Sequence, residues 1–166
     1  FYSFSREQAM QAVSYYREYY EEKGMFENEV YPGIKQLLRD LTKQGVLCLV
    51  ATSKPEIYAK KILDYYELSN YFYYIAGANM DGTRTDKAEV IAYALKQIPA
   101  EYSNKKVLMV GDRSHDIIGA KKNGIDCAGV LFGYGSREEL EEAGADFIAD
   151  SVEAVRNIVF LNAAKN

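Results

Sequence analysis

Short apolar segments alternate with helical patterns along most of this chain, and that alternation constrains the fold more than any other feature. Strands are predicted at residues 46–51, 71–76, 107–110, 127–131 and 147–148. Helices are predicted between and after them, at residues 56–66, 87–97, 114–123, 137–143 and 152–161. Strands that alternate with helices are joined by right-handed crossovers. The sequence therefore predicts a Rossmann-like α/β fold, in which helices cover both faces of a parallel sheet.

Two further helical patterns precede the first predicted strand. The stretch Ser5-Arg6-Glu7-Gln8 has the form of a capping box, and the helix that it starts is expected to run to Gly24. A second helix is expected at residues 34–43. The first helix carries four tyrosines, which we expect to pack against the rest of the protein, because aromatic residues on helices usually do so. They are Tyr15, Tyr16, Tyr19 and Tyr20.

The composition indicates a single soluble domain. A chain of 166 residues, 48% of them hydrophobic, is long enough to bury a substantial core. Its net charge of -4 is spread over interspersed lysines and glutamates, which argues against a nucleic-acid or anionic-membrane partner. No apolar stretch approaches the ~20 residues of a membrane span, and no signal peptide is recognisable. Cys48 and Cys127 lie in apolar segments, as reduced thiols of a cytoplasmic protein would. The sequence does not indicate an oligomeric state.

Polar residues follow the first predicted strand. In an open parallel sheet, ligands bind beyond the carboxyl ends of the strands. Thr52 and Ser53 stand at such an end, where hydroxyl and backbone N–H groups could hold a phosphate oxygen. The alternative is that one of these hydroxyls simply caps the helix that begins near Pro55.

A lysine and two aspartates stand at comparable positions later in the chain. Lys87 opens a helix, where its ammonium could neutralise a phosphoryl group or could be a solvated surface charge. Asp112 follows a strand directly, and Asp116 comes four residues later. Two such carboxylates supply hard oxygen ligands for Mg²⁺, although both could instead complement a helix N-terminus. His115 is expected at the surface, and zinc is disfavoured because the chain has no His/Cys cluster.

The order of these signals resembles the haloacid dehalogenase-like (HAD) hydrolases, and among them the phosphoglycolate phosphatase-like branch. Residues 30–34 resemble the entry to the core domain, 50–55 motif II, Lys87 motif III, and 111–116 motif IV. The resemblance implies that residues 1–29 are the C-terminal part of a helical cap and that residues 30–166 form the α/β core.

The resemblance also implies a role for each matching residue. Thr52, with Ser53 beside it, would hold the substrate phosphate. Lys87 would balance charge between the nucleophile and the phosphoryl group, and Asp112 and Asp116 would bind Mg²⁺.

One motif of the family is missing. The nucleophile of the family is the first aspartate of an Asp-x-Asp-Gly-Thr motif that precedes the cap, and no such motif precedes Phe1. The most similar stretch of this sequence is Asn79-Met80-Asp81-Gly82-Thr83. It has an asparagine at the nucleophile position and lies between motifs II and III. We therefore expect the chain to be the C-terminal portion of a longer protein and to be inactive alone. Its strands would flank a gap left by the missing strand, with unpaired backbone groups on either side.

The resemblance implies a Mg²⁺-dependent phosphatase that hydrolyses a small phosphorylated metabolite, such as phosphoglycolate, through an aspartyl-phosphate intermediate. A 5'-nucleotidase, a sugar-phosphate phosphatase and a non-catalytic binding module of the same fold are the alternatives. A flavodoxin-like phosphoacceptor domain also combines Asp, Thr and Lys at strand ends. In that class, however, the acidic pair comes first and the lysine last, which is the reverse of the order in this chain.

Overall fold

The computed structural model describes residues 3–163 and confirms the Rossmann-like α/β fold. Its helices are α1 (Arg6–Glu22), α2 (Ile34–Lys43), α3 (Glu56–Tyr65), α4 (Lys87–Leu95), α5 (Ser114–Lys122), α6 (Arg137–Glu142) and α7 (Val152–Ala163). Its strands are β1 (Leu49–Pro55), β2 (Tyr74–Ala78), β3 (Leu108–Gly111), β4 (Asp126–Val130) and β5 (Phe147–Ala149). No helix within the described range is long and apolar enough to cross a lipid bilayer.

The strands form two parallel sheets rather than one. β1 pairs with β2, with Ala51 opposite Ala76. β3 pairs with β4, and β4 pairs with β5 in turn. Within residues 3–163, β1 and β3 each have a strand partner on one side only. All of the pairings are parallel, so the carboxyl ends within each sheet lie on one edge.

Helices cover both faces of the three-stranded sheet. α2 and α7 pack on one face, where the buried core residues are Leu37, Leu41, Val130, Ala149 and Val155. α5 and α6 pack on the other face, around Ile117, Ala120, Cys127 and Leu140. Because Cys127 and Val130 are three residues apart on β4, their side chains point to opposite faces. In the two-stranded sheet, α4 buries Val90 and Ala94 against Ala76 of β2.

The first two strands begin and end later than the sequence pattern predicts. The predicted strand at residues 46–51 is β1, which starts at Leu49 because Val46 N still donates to Leu41 O at the end of α2 (3.0 Å). β1 then continues through Thr52 to Pro55, with a break in register after Ala51. The predicted strand at residues 71–76 is β2, which starts at Tyr74 because Ser69–Tyr71 form a 3₁₀ turn.

The first helix has the predicted cap but not the predicted packing. Ser5 Oγ accepts from Gln8 N (3.2 Å), and Gln8 Oε1 accepts from Ser5 N (2.9 Å), which confirms the capping box. No residue of α1 is buried, however, and three of its tyrosines are more than half exposed: Tyr15, Tyr16 and Tyr19. The packing prediction was wrong for those three, because the last turn of α1 makes the contact with α3. There the Tyr20 ring lies 5.4 Å from the Tyr58 ring.

Candidate active site

Lys87, the first residue of α4, links strand β1 to helix α5. Its Nζ donates to Ala51 O (3.0 Å) and lies 2.8 Å from Asp116 Oδ1. The two charged side chains are only 10% and 6% exposed. Removing one partner of a buried ion pair destabilises the fold, because the other charge is left buried without a counter-charge. Lys87 is therefore not a solvated surface lysine, and its ammonium lies beside the residue that precedes Thr52.

Local structure fixes the start of α4 and lets α5 approach it. Asp86 caps α4, since its Oδ1 accepts from Ala88 N (2.8 Å). Gly119 of α5 faces this turn, and a Cβ at that position would lie 3.1 Å from Lys87 Cγ. A glycine there allows the two helices to approach closely, which brings Asp116 within reach of Lys87.

Asp116 has two roles. Its Oδ2 accepts from Arg113 N (3.1 Å), so it complements the N-terminus of α5 as the simpler interpretation expects. Its Oδ1 also pairs with Lys87. The carboxylate lies directly against Gly111, where a Cβ would be 2.3 Å from Asp116 Cβ. Position 111 therefore requires a glycine, because the Asp116 side chain approaches its backbone closely.

Asp112 is clamped by the loop that follows β4. Its carbonyl accepts from Gly135 N (2.9 Å), and its Oδ2 accepts from Tyr134 N (2.9 Å). A Cβ at Gly133 would lie 2.3 Å from Asp112 Cβ, so this position also requires a glycine. The other carboxylate oxygen, Oδ1, accepts no hydrogen bond from residues 3–163. Asp112 is thus held rigidly while one of its oxygens stays available.

Thr52 and Ser53 lie in the irregular end of β1. Thr52 Oγ1 accepts from Lys54 N (3.2 Å), and Ser53 is exposed. The N-cap of α3 is Pro55, and no side chain caps this helix. The interpretation of either hydroxyl as a cap of α3 is therefore wrong.

The predicted residues lie on or next to one path of contacts. Thr52 follows Ala51, whose carbonyl accepts from Lys87. Lys87 pairs with Asp116, and Asp116 packs against the residue that precedes Asp112. The structure thus brings Lys87 and Asp116 into direct contact. Thr52 and Asp112 each directly follow a residue that contacts this pair. His115, between the two acids, is exposed as expected.

Of the two predicted metal ligands, Asp112 has an oxygen that could bind a cation. Mg²⁺ in phosphate-handling enzymes is held by one or two carboxylates, together with water and phosphate oxygens. In the part of the chain that the structure describes, no group of three or more His, Cys, Asp or Glu side chains is arranged to hold a metal. Asp112 has an available oxygen, whereas both oxygens of Asp116 have protein partners. Asp112 is therefore the residue best placed to bind a cation directly.

Sequence reasoning missed Glu139 of α6. Its Oε1 accepts from Ser114 N (2.8 Å) and from Arg113 Nε (3.0 Å), so it caps α5 from another helix. The hydrogen bond from Ser114 N, aided by Arg113, lowers the pKa of Glu139 to about 2. No local pattern signals this contact, because its partners are 25 residues apart. The clamp around Asp112 was also missed, although the Gly133-Tyr134-Gly135 pattern after a strand could have indicated it.

A parallel α/β fold with a lysine and two carboxylates beyond the ends of its strands is typical of Rossmann-like hydrolases that act on phosphate esters. The model of the haloacid dehalogenase-like hydrolase family matches residues 1–130. The chain belongs to that family.

Several relatives of the chain are phosphatases by name. It is 38% identical to a 5'-nucleotidase from Pseudomonas aeruginosa, covering 95% of this chain and 71% of that protein. It is 26% identical to phosphoglycolate phosphatase from Vibrio cholerae, covering 96% and 70%. The solved structure of a predicted phosphatase from Clostridium acetobutylicum is 44% identical, with a TM-score of 0.84, covering 96% and 73%.

Another relative has a different name. The chain is 39% identical to the tyrosine-protein kinase PtkA from Mycobacterium tuberculosis, covering 86% of this chain and 48% of that protein. The chain thus spans about half the length of PtkA and a larger share of the phosphatases. The family and its phosphatase members together support a phosphatase.

Proposed function

We propose that the intact protein is a Mg²⁺-dependent phosphatase that hydrolyses a small phosphate monoester. The observation that carries the proposal is the buried Lys87 ammonium between the end of β1 and Asp116. A lysine is seldom buried without a functional or structural reason. Here it donates to the carbonyl of Ala51, the residue that precedes Thr52, at the edge where ligands of parallel α/β folds bind.

The unused hydrogen-bond donors at this edge suit a phosphate group. An ammonium has three N–H donors, and Lys87 uses them on two partners, Ala51 O and Asp116. Among the described residues this leaves one donor for a phosphoryl oxygen. The Thr52 hydroxyl accepts from Lys54 N, and its own O–H donates to no group within residues 3–163. Two donors that converge on one oxyanion would stabilise charge that develops during phosphoryl transfer.

The acidic residues would complete the site. Asp112 Oδ1 would bind Mg²⁺, with Asp116 supporting it through Lys87 and the α5 N-terminus. When bound, the cation would offset the negative charge of the phosphoryl group. Because the Gly133–Gly135 loop and the Tyr134 N–H hold Asp112, this carboxylate would bind the cation without reorganising.

The nucleophile would be an aspartate supplied from outside the described residues. We place it on a strand between β1 and β3, because within residues 3–163 each of these strands is paired on one side only. Lys87 also spans from Ala51 of β1 to Asp116, which packs against Gly111 of β3. The carboxylate of the nucleophile would attack phosphorus in line, and the ester oxygen would leave and take up a proton as the alcohol. Water would then hydrolyse the aspartyl-phosphate, which releases inorganic phosphate and restores the carboxylate.

The similarity to named relatives gives an order in which to assay substrates. The 5'-nucleotidase is more similar to this chain than the phosphoglycolate phosphatase, at 38% against 26% identity. Nucleoside monophosphates are therefore the first compounds to assay, followed by phosphoglycolate and sugar phosphates. Phosphate release from each, compared by kcat/KM, would identify the preferred class.

Asp112→Asn in the intact protein tests the proposal. We expect the substitution to abolish Mg²⁺-dependent hydrolysis while the fold is retained, because an asparagine can keep the hydrogen bond with Tyr134 N but removes the charge that binds the cation. Asp126→Asn is the matched control, since Asp126 is an exposed aspartate of β4. Undiminished turnover by Asp112→Asn would remove Asp112 from the site. An inactive wild-type protein would favour the non-catalytic binding module.

A further inference from the structure

Arg84 makes contacts with three elements around the candidate site. Its Nε donates to Gly77 O at the end of β2 (2.8 Å). Its Nη2 lies 3.5 Å from Glu56 Oε2 at the start of α3. Its guanidinium carbon lies 3.8 Å from the centre of the Tyr93 ring in α4, within the range of a cation–π contact. One side chain therefore links β2, α3 and α4.

The backbone of Arg84 is in an unusual conformation. Its φ of 51° lies in the left-handed region, which residues other than glycine rarely adopt. Such a conformation persists only where the surrounding contacts hold it, and it is most common at functional sites. The preceding turn is held by its own hydrogen bonds, with Asp81 Oδ1 accepting from Thr83 N (2.9 Å). The turn and the strained residue together direct the guanidinium back onto the sheet.

The contacts of Arg84 lie next to candidate site residues. Glu56 directly follows the segment 52–55, which carries Thr52. The end of β2 lies tightly against that segment, since a Cβ at Gly77 would be 2.6 Å from Lys54 O. Tyr93 belongs to the helix that begins at Lys87, and its hydroxyl is hydrogen-bonded to that of Tyr74 in β2 (2.8 Å).

We infer that Arg84 is a positioning residue for phosphoryl transfer: it fixes the Thr52 segment and the Lys87 helix relative to each other. The inference rests on the proposed function. Thr52 and Lys87 would donate to the same phosphoryl group from two separate elements, so their spacing must be held. Arg84 contacts the strand end, the start of α3 and the body of α4 without reaching into the site itself.

An arginine is required for this role. Its planar group can donate from Nε and Nη2 while its face stacks on an aromatic ring. Lysine has a single ammonium and cannot make these three contacts together. Arg84→Lys therefore keeps the charge but loses the link, and Arg84→Met loses both.

Turnover by the intact protein gives the first test, with Lys60→Met as the matched control. Lys60 pairs with the other oxygen of the same Glu56 carboxylate (2.8 Å) but points to solvent, at 51% exposure. Both Arg84 variants should lose about 10- to 100-fold in kcat with KM within about threefold, because misplaced donors weaken the transition state more than substrate binding. Lys60→Met should stay within about twofold of wild type in kcat.

Amide hydrogen exchange gives a second test that does not depend on activity. In Arg84→Lys and Arg84→Met, segments 52–58 and 86–91 should both exchange faster than in wild type, by about tenfold or more. Segment 86–91 should be unchanged in Lys60→Met. Wild-type kcat and exchange in folded Arg84 variants would overturn the inference, as would an equal kcat loss in Lys60→Met. If the wild-type protein shows no turnover, the proposed function fails. Unchanged hydrogen exchange in the Arg84 variants would separately show that Arg84 does not link the Thr52 segment to α4.

Discussion

Lys87→Met should lower the free energy of unfolding of the intact protein by about 3 kcal/mol, the lower end of the cost of breaking a buried ion pair. The substitution removes the ammonium that pairs with the Asp116 carboxylate, which is only 6% exposed. It also removes the hydrogen bond that Lys87 donates to the Ala51 carbonyl. The cost stays at the lower end because Asp116 keeps the hydrogen bond from Arg113 N. Asp116→Asn should cost about 2 kcal/mol, since the ammonium is then buried without a counter-charge.

The two substitutions should not be additive. The double variant has neither charge, so its loss should be about 2 kcal/mol smaller than the two single losses together. Urea unfolding, followed by far-UV circular dichroism, measures this coupling. Lys121→Met is the control. Lys121 pairs with Asp146 at the surface, at 41% and 31% exposure, and its loss should cost less than about 1 kcal/mol. If the stability losses of Lys87→Met and Asp116→Asn add to that of the double variant within about 0.5 kcal/mol, the buried pair does not form.

Two further predictions concern the groups that hold Asp112 and helix α5. Gly133→Ala would place a Cβ 2.3 Å from Asp112 Cβ and must move that residue by about 1 Å, so kcat/KM should fall about 100-fold; a loss below about threefold would contradict the clamp. Glu139 has its pKa lowered from 4.5 to about 2, so it stabilises the folded state fully above about pH 4.5 and loses that effect as the pH falls towards 2. The stability difference between wild type and Glu139→Gln should therefore shrink across that window in acid unfolding curves, and a difference that does not change with pH would contradict the cap.

The helices of this fold were readable from local signals. The structure confirms the helix at Ile34–Lys43 with the predicted bounds, and α4 and α5 begin at Lys87 and Ser114 as predicted. α2 starts after Gly33 and α4 after Asp86, and both are residue types that favour a helix start. Strand bounds were less readable, because a strand is defined by its partner as well as by its own residues.

Only part of the candidate site could be predicted from the sequence. The residue types and their order pointed to Lys87 and Asp116, but their contact spans 29 positions and depends on the close approach of two helices. Arg84 and Glu139 carry no local pattern at all, since the partners of each lie on other elements. Interactions between distant segments follow from the packed fold and cannot be deduced from spacing alone.

A crystal structure of the intact protein with Mg²⁺ and orthovanadate, a mimic of the phosphoryl group, would test the central claim most directly. The account predicts the cation on Asp112 Oδ1 and the vanadate within hydrogen-bond distance, about 2.7–3.2 Å, of Thr52 Oγ1 and Lys87 Nζ. Vanadate bound elsewhere, with Thr52 and Lys87 making no contact to it, would contradict the account.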